Sequence, residues 1–231
     1  MKILVSITST GKKLDFAKKI KQIDDLGINE IALFPTTLDF KERQGLYEFL
    51  EKSKIKKIPF VHLKSDMEIE EVDYLTSRFG AEIFNVHGSN SGTPLENDLK
   101  KYADQIYVEN QFSRLGDDDL VRFAGLCLDV SHLYDLVATK SELAPYFLDL
   151  FKKYPCQCGH ISSITEKTRF CPIDKVFFYS NHLYSDLSQF DYLKQYRDIL
   201  PPLLALELEN NIPEQVRAKE YIERILNIDG R

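Results

Sequence analysis

The chain has 231 residues, 43% of them hydrophobic and 29% charged, and its 30 basic and 36 acidic side chains give a formal charge of −6. A chain of this length buries roughly 70–75% of its unfolded surface, so its core requires neither disulfides nor a structural metal, and the composition excludes a globally disordered or fibrous protein. The acidic balance opposes general polyanion binding, whose affinity comes from phosphate neutralisation. No apolar run approaches the ~18–20 residues that span a bilayer.

The opening MKILVSITSTGKK reads as a first strand (2–8), not as a signal peptide. Without a secretory signal, Cys127, Cys156, Cys158 and Cys171 are expected as reduced thiols in the cytoplasm. Residues 14–27 have helical spacing, with Leu14, Ala17, Ile20 and Ile23 on one face and Gly27 suited to the C-terminal cap. A strand at 30–36, a helix at 39–53 and a strand at 58–63 follow. The next helix, 66–80, has Asp66 as its expected N-cap and Gly80 as its stop. Strands are expected at 82–88, 105–110, 126–132, 156–162 and 203–210. Between them lie a short polar helix near 95–103, a helix opening on the acids of 117–125, and a helical stretch to about Lys153. Helices at 188–200 and 213–227 complete the pattern. Eight strand candidates, each followed by a helix candidate, predict a single-domain (β/α)8 TIM barrel, with a doubly wound open sheet as the alternative. The segment 175–182 also has strand character and is assigned to the long connection between strand seven and its helix.

Barrel strands should end apolar, because their inward side chains fill a core. Several of these strands instead end in residues that bind metals or transfer protons. His62 ends strand three, His87 strand four and Glu109 strand five. Strand six carries Asp129 and then His132, strand seven His160, and strand eight Glu207 and Glu209. The fifth histidine, His182, follows strand seven. Active sites of this fold lie at the C-terminal ends of the strands, so these sequence-distant residues should converge. Any one of them alone is more often a hydrogen-bonded or solvated side chain than a ligand. Glu109, Asp129, His160 and Glu207 taken together favour function, because all four fall at the same end of the predicted barrel, and a cation would remove the cost of burying such a carboxylate. Cys156, Cys158 and His160 share one strand face; small core residues beneath a ligand are the favoured reading there, and a thiolate zinc site is the alternative.

The ordered series VHLKSD, NVHGS, YVEN, LDVSH, GHIS and LELEN resembles the xylose-isomerase-like barrel superfamily, from strand three to the end of the chain. The superfamily includes sugar isomerases and epimerases and the endonuclease IV type of DNA-repair enzyme. The epimerase-type resemblance implies one divalent ion (manganese, zinc, cobalt or magnesium) held by Glu109, Asp129, His160 and Glu207, with Glu209 as the alternative to Glu207. It also implies that Glu109 and Glu207 form the acid/base pair, and that His132 serves substrate or a further metal. The endonuclease IV resemblance implies three zinc ions, with His62, His87, His132 and His182 as additional ligands. There the sequence departs from the pattern, with Ser180 where an aspartate is expected and Asp186 and Ser188 where glycines are.

Two functions follow. The first is a metal-dependent isomerase or epimerase acting on a small sugar or polyol by proton transfer through an enediolate. The alternative is a multinuclear-metal phosphodiesterase of the endonuclease IV type. A non-catalytic, ligand-binding barrel is the least favoured reading. The expected partner is a small sugar; nucleic acid is disfavoured, no membrane is involved, and oligomerisation is left open.

Overall fold

The computed structural model describes residues 1–9, 15–171 and 175–228. In chain order the elements are β1 (Lys2–Leu4), β2 (Ser6–Thr8), α1 (Phe16–Asp25), β3 (Glu30–Phe34), α2 (Phe40–Glu51), β4 (Lys57–His62), α3 (Ile69–Phe79) and β5 (Ile83–His87). There follow a 3₁₀ segment (Lys100–Gln105), β6 (Ile106–Glu109), α4 (Asp119–Arg122), β7 (Gly125–Asp129), α5 (Val130–Ala138), α6 (Leu143–Lys153) and β8 (Cys156–Ile161). The chain continues through β9 (Ser163–Cys171), β10 (Val176–Asn181), a second 3₁₀ segment (Leu187–Ile199), β11 (Leu203–Leu206) and α7 (Ile212–Ile225).

The main sheet runs β1-β11-β8-β7-β6-β5-β4-β3-β2. Its two ends, β1 and β2, are halves of one continuous run that parts at Val5. β1 pairs with β11 and β2 with β3, both in parallel. The sheet therefore comes back on itself as eight strand positions, as a (β/α)8 TIM barrel requires, and the open doubly wound alternative is ruled out. β9 and β10 form a separate antiparallel hairpin. The strand character of 175–182 is thus real, yet it takes no position in the barrel.

The inward faces follow the two-residue alternation of strands. Leu4, Ala32, Phe60, Tyr107, Cys127, Cys158 and Ala205 form one apolar layer inside the barrel, with Phe34 beside them. Two residues further along four of these strands come His62, Glu109, Asp129 and His160, and Glu207 stands two beyond Ala205. The layer beneath the site is therefore apolar, and the layer at the C-terminal end is polar.

Several boundaries differ from the sequence expectation, each for a physical reason. The helix expected over 14–27 spans Phe16–Asp25 with Asp15 as its N-cap; Leu14 lies outside the described residues. Asp66 does not cap α3. Glu68 stands at that position without a side-chain bond, because Asp66 is taken by Arg43 at 2.9 Å and Lys64 at 3.2 Å. Gly80 does end α3, at φ 63°. The strand expected over 126–132 stops at Asp129, whose carboxylate accepts from the amides of Ser131 and His132 and so starts α5. Acids in 117–125 yield only the single turn α4, and the helical stretch to Lys153 divides into α5 and α6. The helix near 95–103 and that at 188–200 are both 3₁₀.

Outside the barrel, α2 and α3 share a fully buried cation. The Arg43 guanidinium donates to both oxygens of Glu71 (2.9 and 2.7 Å), to Asp66 and to the Leu38 carbonyl; the Tyr47 hydroxyl completes the Glu71 shell at 3.0 Å. Removing one partner of such a pair leaves an uncompensated buried charge. Glu71→Gln should lower unfolding free energy by about 3–5 kcal/mol in urea titrations; a loss no larger than a typical surface substitution would contradict the assignment.

Candidate active site

Eight elements deliver the candidate residues to one mouth of the barrel. His62, His87, Glu109 and Asp129 end β4, β5, β6 and β7, and His160 lies one residue before the end of β8. His132 sits in the first turn of α5, His182 follows β10, and Glu207 follows β11. Glu109, Asp129 and His160 are buried, as are His62 and Glu207.

Glu109 is the meeting point. Its Oε2 accepts from the Asn85 amide at 3.0 Å and lies 3.1 Å from His62 Nε2. The same oxygen is 3.7 Å from His160 Nδ1 and 4.0 Å from His87 Nε2. Its Oε1 faces His132 Nδ1 at 3.4 Å. On the other flank, Glu207 Oε2 is 3.6 Å from His160 Nδ1 and 4.0 Å from His182 Nδ1. Asp129 divides its oxygens. Oδ1 accepts from Ser131 and His132, whereas buried Oδ2 has no hydrogen-bond partner and stands 3.4 Å from His132 Nδ1.

Electrostatics follow from this packing. Burial alone raises the Glu109 pKa, but the surrounding imidazoles, His160 first, outweigh it and hold the carboxyl well below its usual range. Burial also opposes ionisation of Glu207, yet His182 and His160 bring it down to about 2. His160 is pushed up to about 9, since Glu109 and Glu207 overcome the cost of its burial. His132 is raised well above its ordinary value against the same cost, mainly by Asp129 and Glu109. His87 goes the other way: burial takes it down to about 4.

Among the described residues, three groups of donors could each hold a cation: His62, His87 and Glu109; Glu109, Asp129 and His132; and Asp129, His160 and Glu207. The groups share Glu109 and Asp129. The donor chemistry fits a divalent ion, because two buried donor atoms, Asp129 Oδ2 and His160 Nδ1, lack hydrogen-bond partners. His182 falls outside these groups but lines the same pocket. That pocket has a volume of 330 Å³, and its walls include Thr36, Thr37, Lys64, Thr93 and Gln111 beside His62, His87, His132, Glu109 and Glu207. Glu209 is not among the donors. Its charge is felt by Lys19 on α1, and its backbone amide donates to the His182 carbonyl.

Sequence reasoning does not single out Asn85, Cys127 or Asn110. Asn85 and Cys127 are two residues before His87 and Asp129, so strand alternation carries the signal for both. Asn110 braces Asp129, with Oδ1 accepting from the Asp129 amide and Nδ2 donating to its carbonyl. Nothing in its sequence neighbourhood points to that role.

No protein-family profile matches the chain. No curated protein matches it significantly either. Solved structures do. A xylose isomerase-like TIM barrel protein from Mycobacterium smegmatis, in complex with magnesium, superposes with a TM-score of 0.50 at 16% identity, covering 97% of this chain and 96% of its own. This chain shares the TIM-barrel fold of that protein. A xylose isomerase domain containing protein from Salmonella typhimurium LT2 matches at TM-score 0.47 and 15% identity, covering 98% of this chain and 97% of that one.

In metal-free protein the charge network makes stability depend on pH. His160, raised in the fold to about 9, contributes stability that is complete below pH 6.5 and is lost as pH rises through 9; His132, also raised, loses its contribution in the same direction. Lowered His87 costs stability as pH falls from 6.5 through 4, and Glu207 adds to that loss between 4.5 and 2. Chelator-treated protein should therefore be most stable near pH 6.5 and lose about 2 kcal/mol by pH 8. A flat urea-unfolding profile over that interval would rule out the paired network.

Proposed function

We propose that this chain is a divalent-metal-dependent isomerase or epimerase acting on a small sugar or sugar-like polyol. The observation that carries the reading is the convergence of Glu109 and Glu207, which both line one small pocket, onto the buried imidazole of His160. A volume of 330 Å³ lies at the lower end of the range for small-molecule sites.

Asp129, His160 and Glu207, with Glu109 beside them, would hold a cation whose chemistry is Lewis-acid stabilisation of charge on adjacent carbonyl and hydroxyl oxygens. The magnesium bound to the Mycobacterium protein supports a divalent ion in that role. Proton transfer falls to the two glutamates. One carboxylate removes the proton from the carbon next to the carbonyl, leaving the substrate as an enediolate. The other returns a proton to the opposite face or to the neighbouring carbon. Both carboxylates are held ionised by histidines, so either can begin as base. Asn85 and His62 hold the Glu109 carboxylate from below and beside. The apolar layer of Phe60, Tyr107, Cys127 and Cys158 excludes water from the floor.

A second reading, a multinuclear-metal phosphodiesterase, has one observation in its favour. His62, His87 and Glu109 form a further donor group that a single-ion isomerase does not require. Against it, Ser180 supplies no carboxylate where a third ion would need one, and the chain is acidic overall.

Metal content measured by plasma mass spectrometry on protein purified without chelator separates the two. The isomerase reading expects about one ion per chain and exchange of a sugar α-proton with deuterated solvent. Glu109→Gln should slow that exchange ~10²–10⁴-fold. Two or three zinc ions per chain, with cleavage of phosphodiester substrates and no exchange across a panel of sugars, would replace it with the second reading.

A further inference from the structure

His160 presents an asymmetric pair of nitrogens. Nδ1 faces upward, 3.6 Å from Glu207 Oε2 and 3.7 Å from Glu109 Oε2, and has no hydrogen-bond partner. Nε2 faces down into the apolar layer, where it meets the sulfur of Cys127 at 3.4 Å. The rings of Phe34 and Phe60 flank the imidazole, with centroids 4.8 and 5.5 Å away. Both Cys127 and His160 are fully buried.

The direction of the hydrogen bond depends on where the thiol hydrogen points. The Cys127 thiol is fully buried, and a sulfur can either donate or accept a hydrogen bond. Cys158 is its register partner on β8, which places the two sulfurs side by side on the barrel floor. A thiol hydrogen turned toward Cys158 leaves the Cys127 sulfur as the acceptor beneath the ring. Nε2 then carries the hydrogen, and Nδ1 keeps its lone pair.

We propose that Cys127 is a positioning residue: its sulfur accepts the Nε2 hydrogen of His160 and so fixes the tautomer that presents the Nδ1 lone pair to the cation site shared with Asp129 and Glu207. The other nitrogen of a ligating histidine usually donates to a carboxylate or a carbonyl. Here a thiol takes that place, because β7 delivers residue 127 directly beneath the ring and any charged group there would be buried among aromatic side chains. The role rests on the cation-binding reading of Asp129, His160 and Glu207, and the tautomer can be read without a metal.

Two measurements on the full chain test it, each on wild type, Cys127→Ala and Cys127→Ser. In metal-stripped protein, cobalt(II) titration should show affinity falling about 10–100-fold in Cys127→Ala, with most of it restored in Cys127→Ser, whose hydroxyl also accepts. In metal-free protein, taken to a pH at which the nitrogen shifts show the His160 ring neutral, long-range proton–nitrogen correlation spectra should show the Nε2–H form in wild type and Cys127→Ser. Cys127→Ala should populate the Nδ1–H form. Unchanged cobalt affinity in Cys127→Ala overturns the proposal. So does an Nδ1–H tautomer in wild type, or a thiolate-to-cobalt charge-transfer band that Cys127→Ala removes, which would make Cys127 a ligand. If wild type takes up no cobalt, the metal reading fails and the tautomer decides the role of Cys127 alone. If Cys127→Ala does not fold, the wild-type and Cys127→Ser spectra decide.

Discussion

One carboxylate oxygen organises the mouth of this barrel. Glu109 Oε2 is approached by Asn85, His62, His160 and His87, from β5, β4, β8 and β5 again. Burying a carboxylate without such partners costs several kcal/mol, so the glutamate and its histidines are tolerated only as a set. The arrangement also explains why burial does not neutralise the acid. Desolvation favours the protonated form, but imidazoles on several sides favour the ionised one more strongly. The mouth is therefore a preassembled array of negative oxygens and adjustable nitrogens, and a cation entering it would displace protons from the raised histidines.

Asp129 couples that array to the secondary structure. One of its oxygens caps α5 through Ser131 and His132, and the other points into the site. A single residue thus ends a strand, starts a helix and places a ligand-capable oxygen. His132 follows from the same event, because the first turn of α5 aims its ring back at Glu109. Asn110 locks the Asp129 backbone from the end of the neighbouring strand. Rotating the Asp129 carboxylate would therefore cost both the helix cap and the placement of His132, so the site is rigid where its ligands converge.

Much of this is legible in the sequence because a strand has a period of two. Glu109, Asp129 and His160 each follow, two positions on, a residue that fills the barrel, and the ordered motifs place them all at the same end. Boundaries are less legible where a side chain has two possible uses. Asp66 has the position and chemistry of an N-cap, and only the buried Arg43, distant in sequence, reveals why it serves elsewhere. The reading of 126–132 as one strand fails for a similar reason: LCLDVSH continues in apolar character, and the turn at Asp129 is set by its side chain. The first hairpin strand, Ser163–Cys171, is rich in exposed polar side chains and carries no core pattern. Between Glu207 and Glu209 the sequence offers no distinction; in the fold Glu207 lies beside His160, and the charge of Glu209 is felt by Lys19 on α1.

The hairpin bears on what the site can hold. Its strand β10 is fastened to α5 by Asp135, whose Oδ1 accepts from the amides of Tyr179 and Ser180 at 2.6 and 3.2 Å. The endonuclease IV resemblance would expect a carboxylate for a third ion at the position of Ser180. The nearby acid on α5 is spent on the backbone of the hairpin, and burial raises its pKa, which disfavours it further as a charged ligand. His182 is instead anchored through Nδ1, close to the Glu207 carbonyl at 3.0 Å and to Ser162 at 3.3 Å. Its place at the rim follows from hydrogen bonds the fold makes for itself. The chemistry of the mouth accordingly concentrates on the buried side, around Glu109, Asp129, His160 and Glu207. Around it the rim carries Thr36, Thr37, Thr93, Gln111 and Lys64 beside His87, His132 and His182.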